Sequence, residues 1–249
     1  MKDKIIELAE RDFCTGCSAC ADICPTKSIK MSDEGKLFSY PQINHETCIS
    51  CGKCMKVCPS INTLEVATFK QQYFAAWNKD DAERKTSTSG GVGVALAKAA
   101  ASRAYAICGV RFDDEFKVVH SLAKSEADLE GFKGSKYVQS STVGIFASIN
   151  DYLKGGGKVL FIGTPCQVEA IKRFVPSSLS DQLLTCEIIC HGVNSPKVWS
   201  DFVKNLQEDN KSVLKTYHFR SKSHGWQRTS GSPNLRVFYT FDNGKVVDV

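Results

Sequence analysis

The stretch from Cys14 to Pro59 constrains the fold of this chain more than any other. There the pattern C-x-x-C-x-x-C-x-x-x-C-P is written twice, as Cys14, Cys17, Cys20, Cys24, Pro25 and as Cys48, Cys51, Cys54, Cys58, Pro59, each position 34 residues after its counterpart. A four-iron cubane needs four thiolates around it. Three cysteines two residues apart let a tight loop wrap one face, and in the two-cluster arrangement the last cysteine of each run ligates the other cluster. The spacing therefore assigns Cys14, Cys17, Cys20 and Cys58 to one 4Fe-4S cluster, and Cys48, Cys51, Cys54 and Cys24 to the other. Disulfides fit poorly, because no signal peptide marks the chain for an oxidising compartment. Zinc would use only the C-x-x-C pairs and leave the rest of each run unexplained. The residues between the runs are too few to bury a core without the clusters, so removal of iron is expected to unfold this part.

A chain of 249 residues has room for one large domain beside this small one. Composition shifts after about residue 66, which divides the chain into 1–66 and 67–249. The first part holds 8 Lys+Arg against 9 Asp+Glu and the second 24 against 18, so spare positive charge for an anionic ligand lies in the second. The basic residues are scattered and no reader motif accompanies them, which argues against nucleic acid. The start, MKDKIIELAERDF, lacks an apolar core of signal length, and no later run approaches a membrane span, so a cytoplasmic chain is expected.

In order along the chain, Ile5, Ile6 and Leu8 read as an apolar lead-in beside the first cluster, SIKM and KLFSYPQI as a hairpin around Asp33-Glu34-Gly35, and Asn62 to Val66 as a closing strand. YFAAW (73–77) reads as a buried strand, followed by the Ala-rich helix VGVALAKAAA. AYAICGVRF and KVVHSLAK form a second hairpin, and Ser125 with Asp128 offers a capping box. Ser141 is expected to cap a helix running to Lys154, KVLFIG to be a buried strand, Thr164-Pro165 to open a helix, and LLTCEIIC to be a buried strand ending at His191. Ser195-Pro196 starts another helix, YHFRSKSHGWQRTSG reads as a polar aromatic loop, and LRVFYTF with KVVDV as a final hairpin. Strand, helix, strand, helix implies a parallel pair, with Thr164, Pro165, Cys166 and Cys190, His191, Gly192 facing one crevice at the strand ends.

Several stretches carry two readings. Ser87, Thr88, Ser89, Gly90 and Gly91 put hydroxyls and bare N–H groups at a helix start, which suits a phosphate or is an ordinary cap. Neither a Walker loop nor a Rossmann fingerprint is present there. Gly131 to Tyr137, with Gly134, Ser135, Lys136 and Tyr137, is a cofactor loop or a plain surface loop. Cys166, in the first turn of its helix, is a reactive or a packed thiol, and His191 a proton donor or a strand-end cap. Cys108, Cys186 and Cys190 read as buried strand residues, and His218, Arg220, Lys222, His224 and Trp226 as an anion clamp or a solvated loop.

Taken together, STSGGV (87–92), GSKYVQS (134–140), GTPCQVEAIK (163–172), CHGVNSPKVW (190–199) and HGW (224–226) resemble the family of the beta subunit of coenzyme F420-reducing hydrogenases and dehydrogenases, which includes hydroxymethyl chlorophyll reductase. The resemblance implies an α+β architecture: a two-cluster ferredoxin-like domain at 1–66, then an α/β flavin-binding domain with a mixed sheet at 67–249. It implies FAD held by Ser87 to Gly91, Gly134 to Tyr137, Thr164 and Pro165, with Cys166 and His191 at the flavin crevice. Electrons would pass from a ferredoxin or another redox protein, through the clusters and the flavin, to a small organic acceptor. The other readings are a non-catalytic electron-transfer subunit and a structural or sensing protein. Longer members of the family continue with further cysteines, whereas this chain stops inside what reads as a strand, so a truncated or short member is expected.

Overall fold

Each cysteine run closes on a short helix, α1 (Ala19–Asp22) and α2 (Lys53–Val57). Gly16 and Ser18 in the first run, and Ser50 and Gly52 in the second, all take positive φ at equivalent positions. These left-handed residues turn the backbone so that cysteines two apart face inward. Glycine is needed at 16, where a Cβ would lie 2.9 Å from the Gln139 side chain and 3.2 Å from the Ser39 carbonyl oxygen. Between the runs, β1 (Ile29–Ser32) and β2 (Tyr40–Ile43) form the expected antiparallel hairpin.

The computed structural model describes residues 6–62, 71–123, 125–222 and 236–249. The expected closing strand, from 63 on, and His224 with Trp226 lie outside the described residues. After residue 70 come α3 (Asp81–Thr86), α4 (Val92–Ala101), β3 (Tyr105–Phe112), β4 (Val118–Leu122) and α5 (Asp128–Phe132). They are followed by α6 (Ile145–Lys154), β5 (Lys158–Gly163), α7 (Pro165–Phe174), a 3-10 turn at Ser177–Gln182 and β6 (Leu183–Glu187). The chain then runs through α8 (Pro196–Asn210), β7 (Leu214–Ser221), β8 (Arg236–Phe241) and β9 (Val246–Asp248). A mixed sheet in the order β4-β3-β5-β6 is the centre, antiparallel between β4 and β3 and parallel from β3 through β6.

Period-two alternation in β3 and β5 buries both faces of that sheet. Ile107 and Leu160 pack under α4 and α5, while Cys108, Val159 and Phe161 pack under α6 and α7 with Phe146, Ile149 and Ile171. A second layer of β7, β8 and β9 packs with α8 around Trp199, Val203, Leu214 and Phe241. Ala19 of α1 and Val57 of α2 belong to the same core as Phe146 and Phe161, so the cysteine-bearing helices are packed into the α/β centre.

Polar contacts tighten this junction. The Asp22 carboxylate accepts hydrogen bonds from the backbone N–H groups of Gly144 (2.7 Å), Phe146 (3.1 Å) and Ala147 (3.4 Å). It thereby caps α6 from a distance in sequence, a role the sequence assigns to Ser141. The N-cap position is instead Gly144, which has no side chain to offer. Burial pushes the Asp22 pKa up against the pull of these three donors. Thr142 donates from Oγ1 to the Cys17 carbonyl and bonds the Ser18 hydroxyl, each at 2.8 Å, and Gln139 donates to the Thr15 carbonyl at 2.8 Å.

Three other expectations need correcting. YFAAW is not a buried strand: Tyr73, Phe74 and Trp77 are exposed, because the run is apolar on both sides and no edge of the central sheet pairs with it to cover either. LLTCEIIC is a strand only to Glu187 and is half-buried, since β6 is an edge that pairs with β5 alone; Ile188 to His191 lie exposed beyond it. YHFRS is part of β7 and not a loop, since Tyr217 and Phe219 pack on the Trp199 ring. Replacing Asp22 by Ala removes the two carboxylate oxygens that accept three hydrogen bonds from the start of α6 and is expected to cost about 2–3 kcal/mol. Thermal melts should show a lowered midpoint, with Asp22→Asn, which keeps an acceptor oxygen, falling between the two.

Candidate functional site

Two regions carry chemistry, one around the cysteines and one at the end of β3. Cys14, Cys17, Cys20 and Cys58 line a single cavity walled by Leu8, Met31 and Pro41, so the last cysteine of the second run stands with the first three of the first. On the other side, the Cys54 thiol is pushed up by burial, with repulsion from Cys51 and Cys24 adding to it, which groups those three. Burial opposes ionisation of Cys24, but the Thr26 hydroxyl at 3.6 Å and the Ser28 N–H at 3.3 Å bring it below its usual value. Burial also pushes Cys17 up to about 11 and Cys20 further, so iron binding there displaces protons from neutral thiols. No three described His, Cys, Asp or Glu side chains converge on a point that would hold a single metal ion. The thiols surround a space, as a cubane requires. Exposure is uneven: Cys51 is exposed, whereas Cys20, Cys24 and Cys54 are buried.

The start of α7 turns toward this region. Thr164 and Gln167 form a capping box, Pro165 occupies the first turn, and the Cys166 sulfur lies 3.3 Å from the Thr164 hydroxyl. Repulsion from Cys166 contributes to the raised Cys17 pKa, which puts the two thiols within electrostatic reach. Cys190 is not the buried strand residue expected. It sits with His191 and Gly192 on the exposed loop beyond β6, its sulfur accepting from the Gly192 N–H at 3.4 Å. Cys108 is fully buried in β3 and Cys186 half-buried in β6.

The second region is a cleft at the carboxyl end of β3, walled by Phe112, Tyr217 and Phe219 and edged by His218 and Arg220. It brings together Ser87 and Thr88, from the end of α3, with Gly134, Ser135 and Lys136, 47 residues later in the chain. The Ser135 N–H donates to the Thr88 hydroxyl at 2.8 Å. Gly90 is pinned by its neighbours, since a Cβ there would lie 3.1 Å from the Ala76 carbonyl oxygen. Gly91 takes φ 72° as the N-cap of α4, a conformation natural to glycine. Tyr137 meets Phe219 edge to face and accepts a bond from Arg220. Lys222 donates to the carbonyls of Arg84 and Ser89, tying β7 to the Ser87–Gly91 turn. Thr164, Pro165, Cys166 and His191 do not line this cleft.

Two groups in the cleft contrast. The Lys136 ammonium donates to the carbonyls of Val110 (3.0 Å), Gly131 (2.7 Å) and Lys133 (2.9 Å), and burial pulls its pKa down to about 7. The Ser87 hydroxyl is buried, and its oxygen has no partner among the described residues. Burial lowers His218 as well, with the Lys136 charge adding to the effect. The Arg220 guanidinium at the edge, a Lys136 amine whose protonation a bound anion would favour, aromatic walls and an unpartnered hydroxyl suit a ligand with anionic and planar parts. Sequence reasoning misses Phe112, Tyr217 and Phe219. Period-two alternation of aromatic residues across 217–219 is the available signal, obscured by the polar residues around it.

Comparison with known proteins finds matches in two parts of the chain. Residues 13–62 and 40–98 match two descriptions of a 4Fe-4S dicluster domain. Residues 156–235 match the C terminus of the coenzyme F420 hydrogenase/dehydrogenase beta subunit. One component of the F(420)H(2) dehydrogenase of Methanosarcina mazei is 25% identical, the alignment covering 82% of this chain and 62% of that protein. This chain thus spans less than two thirds of that relative's length. A chain of the F420-reducing NiFe hydrogenase complex from Methanosarcina barkeri is 18% identical with a TM-score of 0.45, over 70% of this chain and 58% of its own. Residues 156–235 are thus similar to the C terminus of the coenzyme F420 hydrogenase/dehydrogenase beta subunit, and residues 13–62, on their N-terminal side, to a 4Fe-4S dicluster domain.

Proposed function

We propose that the chain is an iron-sulfur flavoprotein oxidoreductase that passes electrons from a ferredoxin-type donor through two 4Fe-4S clusters and FAD to an organic acceptor. The ligand sets proposed are Cys14, Cys17, Cys20 with Cys58, and Cys48, Cys51, Cys54 with Cys24. The cavity walled by the first four supports this pairing. Clusters carry single electrons, and a flavin links one-electron to two-electron chemistry. A cytoplasmic setting suits thiolate ligands.

The observation that carries the flavin reading is the buried Ser87 hydroxyl in a cleft floored by Lys136 and walled by Phe112, Tyr217 and Phe219. In this reading Ser87 to Gly91 and Ser135 would meet the phosphates of FAD, Gly134 leaves open space beside it, and Lys136 would stand near it. Tyr137, and Thr164 with Pro165, which stand outside the cleft at the start of α7, are the other residues proposed to contact the cofactor. Cys166, beside the first cysteine run, is proposed as a redox thiol, and His191, on its exposed loop, as a proton donor to an acceptor from solvent.

A second reading, a non-catalytic electron-transfer subunit, is favoured by one observation. Tyr73, Phe74, Trp77 and Ile189 are all more than 60% exposed, which is more apolar surface than a solitary chain gains from presenting.

Anaerobically purified protein should contain about eight irons, four for each cluster, together with flavin absorbance. Iron without flavin would decide for the subunit reading. Cys58→Ala should damage the cluster held by Cys14, Cys17 and Cys20, as followed by electron paramagnetic resonance. Loss confined to the other cluster would refute the crosswise pairing. Ser87→Ala removes a hydroxyl that has no partner, so unfolding midpoints should stay level or rise by the equivalent of up to about 1 kcal/mol. Flavin retained after gel filtration should nevertheless fall several-fold.

A further inference from the structure

The two cysteine sets differ in which way they face, and the difference orients the molecule. The first set is turned inward: Cys17 packs against the central core and lies within reach of Cys166, and Ala19 and Asp22, on the helix between Cys17 and Cys24, are locked to α6. The second set is turned outward: of its cysteines, Cys51 is exposed and Cys48 half-exposed, and Ile49 between them is 62% exposed. Electron tunnelling weakens steeply with distance, so a carrier in solution exchanges with the cluster nearest the surface.

Charge is divided in the same direction. Beyond Cys51, α2 presents Lys53 and Lys56, both exposed and neither in an ion pair among the described residues; the one acidic side chain between residues 43 and 62 is Glu46. On the flank of the first set, among the described residues 6–13, Glu7, Glu10 and Asp12 are exposed against one cation, Arg11. An acidic protein is drawn to the first of these faces and repelled from the second. An exposed apolar side chain close in sequence to two unpaired cations and to the exposed Cys51 combines a small desolvated contact with electrostatic steering, as a transient redox encounter needs.

We propose that the surface around Cys51, formed by Ile49, Lys53 and Lys56, is the docking face for an acidic one-electron carrier protein. Each encounter oxidises the carrier by one electron and reduces the second cluster by one. The electron then moves inward to the cluster beside Cys17. This assignment rests on the two-cluster reading but not on the flavin.

The test uses the full holoprotein, with iron content verified first, so that failure of the cluster reading shows before the docking measurement begins. A photoreduced acidic [2Fe-2S] ferredoxin is mixed with it anaerobically, and bleaching of the clusters is followed by stopped flow. The rate constant is taken from reoxidation of the ferredoxin with the holoprotein in excess, which reports arrival of the first electron whether it stays on a cluster or moves on to a flavin. The double variant Lys53→Glu/Lys56→Glu should lower the second-order rate constant at low ionic strength at least tenfold and remove its fall with added salt. Lys53→Gln/Lys56→Gln should lower it less, and Ile49→Ser should weaken complex formation with little change in salt dependence. Reduction by the small methyl viologen radical cation, which needs no docking face, should proceed in the Gln variants at the wild-type rate. Wild-type rates with ferredoxin in the Glu variant, or a slowing in the Gln variants that methyl viologen shares in full, would overturn the assignment.

Discussion

The rest of the structure depends on the hold of one carboxylate on one helix end. Asp22 lies between Cys20 and Cys24, inside the loop that wraps the first cysteine cavity, and its acceptors are spent on the first N–H groups of α6. A helix begins with N–H groups that its own turns cannot satisfy, and Gly144 supplies no side chain to satisfy them. The cysteine loop therefore completes α6, and α6 in turn buries Phe146, Ile149 and Leu153 against the central sheet. A ferredoxin-like segment and an α/β core usually read as two bodies joined by a linker. Here Ala19 and Val57 lie in the same apolar cluster as Phe161 and Ile171, so the first cluster site is held against the core by packing as well as by hydrogen bonds.

That placement gives the sheet its functional polarity. β3 and β5 run parallel, and both the cleft beside Phe112 and the Thr164–Cys166 turn lie off their carboxyl ends. The same turn faces Cys17. Carriers held by the cysteine loops and a ligand held in the cleft would thus be approached from one edge of one sheet, the position where ligands collect in open parallel sheets. The parallel part contributes few strands, but β3 runs beyond its last pairing with β5, and the extension carries Phe112 out to form the cleft wall.

Much of this is legible in the residues, and what is not has a common cause. The cysteine ladder, the hairpins around 33–35 and 113–115, the strand KVLFIG and the capped start at Thr164-Pro165 are encoded locally, by spacing, turn chemistry or a cap within four residues, and each forms as its local code dictates. The grouping of Ser87–Thr88 with Gly134–Lys136 follows only from resemblance, because it depends on a contact 47 residues long. The errors concern what covers a segment or what reaches it from far along the chain. YFAAW and LLTCEIIC have the composition of buried strands, but burial needs a neighbour on each side, and the sheet order leaves one run unpaired and the other at an edge. Local reasoning puts the cap of α6 at Ser141 because caps usually lie close in sequence, whereas Asp22 reaches that helix across 122 residues.

Ser87 is buried in the cleft and Lys136 half-buried beside it, and they answer different questions. Lys136 is a half-buried amine bonded to three carbonyl acceptors, drawn from β3, α5 and the loop after it. Its bonds are used up in holding those segments together, so its contribution to binding is its charge and not a hydrogen bond. Ser87 has no such use. A buried hydroxyl without a partner costs about 1–3 kcal/mol, and nothing in the packing around α3 repays it. A fold that satisfies an ammonium fully and leaves a neighbouring hydroxyl unsatisfied has arranged the first for its own stability and the second for something else. In a cleft with positive charge below and aromatic rings at the side, an anionic group of a bound ligand would supply the missing partner.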